Sequence, residues 1–176
     1  MDESKAGRLL LNPAKTKVFW CASSWNQHLM LIPTESVHVG DVSVSPVTAV
    51  RDLGVYIDAD MSMRTQVTNT VRACFSSLRQ IRSARRALLR HALLMLVQTL
   101  VITKLDQCIS VLAGIWGYLQ DRLQSMLNAA ARLVYSCRTS EHTTPLLQEP
   151  HWLRVPEQIQ FCLCVLAYHC VCVAQH

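Results

Sequence analysis

Asp58 and Asp60, in the phrase Tyr-Ile-Asp-Ala-Asp, come closest in this chain to the paired carboxylates that hold two metal ions in a polymerase. Ala59 separates them and a helical zone follows at once. That spacing suits a strand-ending turn, with Asp60 near a helix N-terminus, better than a metal pair. Cys162, Cys164, Cys170 and Cys172 form C-x-C-x5-C-x-C with His169 and His176 nearby, and zinc would need four such ligands to converge tetrahedrally. Residues two apart on a helix lie about 200° apart, so neither cysteine pair closes on one ion unless the helix breaks. The expectation is buried thiols packing as small apolar groups. His142 and His151 have no cysteine or serine at nucleophile spacing. The chain also holds no G-x-S-x-G and no phosphate-cradling glycine loop. Gly114-Ile-Trp-Gly117 has the outline of a GXXG nucleic-acid loop but lacks basic residues between its glycines, so a helix stop is expected. No catalytic residue, cofactor or metal ion is expected.

The arginines are organised differently. Between Met61 and Ser140 stand eleven basic residues against Asp106 and Asp121, a local balance of +9 in a chain of net +5, which leaves −4 for the rest. At 100° per residue, Val67, Val71, Cys74, Leu78 and Ile81 share one helical face, while Arg72, Arg79, Arg82, Arg86 and Arg90 form a stripe about 100° round from it. A solvated face normally mixes Glu with Lys, yet no acidic residue lies between 61 and 105 to pair these arginines at i,i+4. Guanidinium forks suit phosphate oxygens. Together with Arg64 and Lys104 these are the candidate nucleic-acid-binding residues, for duplex or RNA–DNA hybrid held by its backbone.

Elements must position that stripe. With 51% apolar and 16% charged residues the chain can bury a core. An α+β fold is expected: short N-terminal antiparallel strands followed by a mostly helical bundle, dividing into 1–60 and 61–176. "TKVFWCA", "VHVGDVSVSP" and "VRDLGVYID" read as strands, with Gly40 and Asp41 in a hairpin turn. Helices follow from Ser62: one through Arg90, one over "ALLRHALLMLVQTLVITKLDQCISVLAG" to a glycine stop, one over "LQDRLQSMLNAAARLVY" and one over "PEQIQFCLCVLAYHCVCV". The apolar run 161–173 is short of the roughly 20 residues a membrane span needs, so it is expected as a buried helix with no membrane role. Asp2 and Glu3 stand where a secretory leader would be basic. Eight cysteines then indicate reduced thiols and an intracellular, cytoplasmic or nuclear, protein.

One connection is unusually elaborate. Residues 128–161 carry His142, Pro145, Pro150, His151, Trp152 and Pro156 where a bundle usually spends about 2–8 residues on a turn. This phrase, with "LLLNPAKTKVFWCASS", "AVRDLGVYIDADMSMRTQV", "VRACFSSLRQIRSARRALLRHALLMLVQTLVITKLDQCISVLAG" and "RLQSMLNAAARLVYSCR", resembles the C-terminal part of a non-LTR (LINE-type) retrotransposon reverse transcriptase, in order and over nearly the whole chain. Departures fall at Gln107, Pro150 and Cys162. The resemblance implies that residues up to about 60 are the end of a palm and the remainder a thumb and post-thumb region. It also implies that the polymerase's catalytic carboxylates lie upstream of the phrase beginning at Asn12, so that the chain is a non-catalytic fragment gripping template and primer, with self-association through the exposed palm edge. Two other readings stay open: a helical protein-interaction module without a nucleic-acid role, and a Cys/His zinc module.

Overall fold

A computed structural model describes residues 12, 15–21, 35–39, 42–109, 111–112, 114–138 and 141–173. The chain is α+β and divides into two compact units, Met1–Ser62 and Met63–His176.

The first unit holds short strands in three pairs. β1 (Val18–Phe19) runs parallel to β4 (Pro46–Val47), β2 (Val37–Val39) antiparallel to β3 (Val42–Val44), and β5 (Ala49–Asp52) antiparallel to β6 (Val55–Asp58). The expectation of antiparallel strands therefore needs correcting at β1–β4, whose partners lie far apart in sequence and meet side by side (Val18↔Pro46, Phe19↔Val47). Val39 pairs with Val42, while the expected Gly40–Asp41 turn lies outside the described residues. "VRDLGVYID", read as one strand, is a hairpin. Asp52 pairs with Val55 across Leu53 and Gly54, whose φ angles are 45° and 90°. Two successive positive φ values give the turn that matches strand twist, and glycine takes the second without a Cβ clash. Arg51 sits 5.6 Å over the ring of its cross-strand partner Tyr56.

The second unit is helical and holds the core. α1 (Arg64–Ala84) has neither Gly nor Pro, and it buries Val67, Val71, Cys74, Leu78 and Ile81, the face its spacing specified. A 3-10 turn (Arg85–Ala87) follows, and Leu88 (φ −113°, ψ 139°) and Leu89 (φ −68°, ψ 151°) are extended before α2 (Arg90–Val97) begins. The expected continuous helix through Arg90 is thus broken. Arg82, Arg86 and Arg90 at i,i+4 would have been like-charged neighbours on it.

α2 passes through a π-helical turn (Gln98–Ile102) into α3 (Thr103–Ile109). Leu93, Val97, Val101, Leu105 and Ile109 repeat every four residues and all are buried. On a 3.6-residue helix such a repeat drifts about 40° per step, and the wider turn takes up that drift. The helix stops at Ile109 rather than at Gly114, which has φ 74° in the connection beyond. α4 (Gly117–Tyr135) lays Leu119, Leu123, Met126, Leu127, Ala130 and Val134 into the core. Each fully buried leucine contributes about 1.5–3 kcal/mol. Ser136 (φ 62°) closes α4 with its N–H on the Arg132 carbonyl.

The short α5 (Thr144–Gln148) and the long α6 (Val155–Val173) complete the unit. Between them Trp152 donates its indole N–H to Gln98 Oε1 at 3.0 Å, so the elaborate connection clips onto the π turn. α6 starts with the Val155 N–H on Gln124 Oε1 at 2.9 Å and with Glu157 reaching back to the Arg154 N–H. It buries only Val155 and Ile159. The expected buried helix is a largely exposed one, because its packing partners α3 and α4 accompany only its first turns. Arg90–Ile109 and Val155–Val173 are each long and apolar enough to cross a membrane by length and composition, the first with 39% and the second with 11% of that window buried.

Candidate nucleic-acid interface

The geometry of the basic region starts from two hydrogen bonds. Arg64 Nε donates to the Tyr118 hydroxyl at 3.1 Å, and Arg122 Nη1 donates to Thr68 Oγ1 at 3.1 Å, each spanning 54 residues. Further along, Arg79, Arg82 and Arg85 line a cleft together with Ala129, Arg132 and Arg138. N-terminal ends meet and C-terminal ends meet, so α1 and α4 run side by side in parallel. α1's 21 residues make the seam about 32 Å long, which matches roughly nine nucleotide steps of ~3.4 Å.

The expected site residues separate along this seam. Arg64, Arg72, Arg79 and Arg82 lie along α1's flank beside α4, all exposed. Arg86 belongs to the 3-10 turn and Arg90 to α2, so the five-arginine single-helix stripe is corrected to three residues of α1 and two that follow it. Arg90 forms an ion pair with Glu149 and stacks 4.2 Å over the Tyr135 ring. No acid stands at i,i+4 to these arginines, but Arg90 finds an acidic partner distant in sequence. Lys104 Nζ approaches Ser77 Oγ at 3.4 Å, and Ser77 is about 200° round α1 from Arg79. Lys104 therefore stands on the other side of the helix from the flank.

Four arginines outside the expected set join the flank: Arg85, Arg122, Arg132 and Arg138. Three come from α4 and the residues just after it. Their positions follow from helix pairing, and the only sequence signal for them was the local charge excess. The cleft they share with Arg79 and Arg82 has a volume of about 670 Å³, and Phe75, Leu78, Leu133 and Cys137 also line it. No carboxylate is among its lining residues. Arg132 Nε is buried without a hydrogen-bond partner among the described residues, which costs roughly 1–3 kcal/mol. Beside the cleft, Glu141 accepts the Arg138 backbone N–H at 3.0 Å. That bond, and a second from Cys137, hold its carboxyl below the usual range, while the same partner pushes the Cys137 thiol up.

The other chemical candidates resolve into local structure. Asp58 is buried and accepts the Ser62 hydroxyl at 3.3 Å, and Asp60 accepts the Ser62 N–H at 3.0 Å, so both carboxylates tie down the turn after β6. Gly114 and Gly117 flank buried Ile115 at the start of α4. His142 is exposed, and His151, with φ 61°, contacts its own turn through Glu149 O. Of the cysteines, Cys74 and Cys108 are core thiols, but Cys164 and Cys170 are exposed and Cys162 and Cys172 half-exposed, which corrects the expectation of burial. Among the described residues no three His, Cys, Asp or Glu side chains are grouped to hold a metal ion. No family model, curated protein or solved structure matches the chain.

Proposed function

We propose that the chain is a nucleic-acid-binding unit that holds a duplex or RNA–DNA hybrid by its phosphates along the α1–α4 seam. In this reading it corresponds to the thumb region of a non-LTR retrotransposon reverse transcriptase, preceded by the end of the palm, and it carries no polymerase chemistry of its own. The observation behind it is that arginines from two helices, separated by about fifty residues in sequence, share one flank. Exposed guanidiniums on a rigid helix pair position a backbone without reading bases, so binding should show little sequence preference.

The test is the salt dependence of binding to an RNA–DNA hybrid, followed by fluorescence anisotropy. Changing Arg72, Arg79 and Arg82 together to Gln preserves helix propensity. It should weaken binding uniformly and lower the slope of log K against log salt by about 2–3. Arg90→Gln and Lys104→Gln should change the slope little, because Arg90 is engaged with Glu149 and Lys104 stands off the flank. A folded triple variant with unchanged affinity and slope would reduce the flank to a solvated surface and remove this reading's support.

A further inference from the structure

At its C-terminal end the seam changes character. Arg79, Arg82, Arg85, Arg132 and Arg138 converge there on a cleft of about 670 Å³, within the range of small-ligand sites. Like charges crowd there at a cost that an anion relieves.

Phosphate alone does not account for the lining, because Phe75, Leu78 and Leu133 stand in the same concavity and Phe75 is 39% exposed. Bases inside a duplex are stacked on one another and cannot offer a face to such a wall, whereas an unpaired base can. We propose that this cleft takes one unpaired nucleotide of the bound strand, with its phosphate on the guanidinium groups and its base against Phe75. Stacking of this kind is indifferent to base identity, since every base has a π face. The proposal rests on the backbone grip proposed above and adds to it a preference for junctions and overhangs over blunt ends.

The experiment compares, by anisotropy on the full chain, a blunt RNA–DNA hybrid with the same hybrid bearing a short single-stranded overhang. The overhang should bind roughly tenfold tighter, and Phe75→Ala should erase that gain while leaving blunt affinity and salt slope unchanged. A second measurement needs no variant. Cys137 lines the same cleft, so peptide-mapped alkylation of its thiol should slow more with the overhang hybrid than with the blunt one. Equal, salt-dependent binding of both hybrids with equal Cys137 rates would overturn the cleft assignment and leave the backbone grip standing. Binding of neither would overturn the grip and this inference with it. Inorganic triphosphate protecting Cys137 as well as the overhang does would also overturn it, since the apolar wall would then contribute nothing.

Discussion

Cys74 lies in the interior between α1 and the π turn, with its thiol directed at the Val101 carbonyl at 3.8 Å. Burial pushes its pKa from 9.0 up to about 11, with Lys104 opposing and Cys108 reinforcing. Burial raises Cys108 as well, against hydrogen bonds from Thr70 and Gln66. In the unfolded chain a thiol ionises above its ordinary pKa, whereas Cys74 in the fold stays protonated to about 11. Its contribution to stability is therefore complete below pH 9 and is lost as the pH rises toward 11. The urea midpoint should fall across that window. Cys74→Ala should be less stable at pH 8 but show a shallower fall, with the remaining slope due partly to Cys108. A variant whose midpoint tracks the wild type in parallel from pH 8 to 11 would show that this thiol is not the titrating group. By contrast, exposed Cys164 and Cys170 should alkylate readily at neutral pH.

Among the elements, the break at Leu88 and Leu89 decides where the arginines stand, and proline can test it. Leu89 has φ −68° and follows a residue in the extended region, the two conditions a proline requires. Leu89→Pro should therefore stabilise the chain by about 0.4–1 kcal/mol through lost unfolded-state entropy. On one continuous helix the same change would cost ~3 kcal/mol or more. The sign of the shift in denaturant midpoint distinguishes the two. This break was illegible in the sequence because "RRALLRHALL" contains no Gly, Pro or capping residue and every residue in it tolerates a helix. What was legible is what periodicity controls: the buried face of α1 and the strand character of residues 49–58. Arg122, Arg132 and Arg138 could not be joined to the flank, because parallel pairing of α1 and α4 is a tertiary fact with no local signature. The exposure of α6 was hidden for the same reason: an apolar run states that it wants cover but not whether its partners extend far enough.

At the scale of the whole molecule, burial is uneven. All the buried apolar side chains among the described residues lie at or beyond Met63, and before it only Asp58 and Ser62 are buried. Among the described residues the strands pair only two by two, an arrangement that is marginal in water by itself, and an unpaired strand edge is a template for another chain. Apolar surface is also bare at the opposite end of the sequence. Val155 and Ile159 dock α6, and Leu163 and Leu166 continue the same face at helical spacing but stand 42% and 51% exposed. Tyr168, 68% exposed, lies on the other side of the helix, about 200° from Leu166. A bare face of this size favours association, so sedimentation velocity should show a coefficient that rises with protein concentration. Leu163→Gln with Leu166→Gln should suppress that rise, because it removes the bare continuation of the helix's docking stripe. Tyr168→Gln should leave the rise intact, since a partner laid along one stripe never reaches the far side. If Tyr168→Gln suppressed association as strongly, partner chains would cover the helix on both sides rather than along one stripe. If neither change had an effect, the association would belong to the strand edges of the first unit. A concentration-independent monomer would mean that the exposed face is tolerated as it stands.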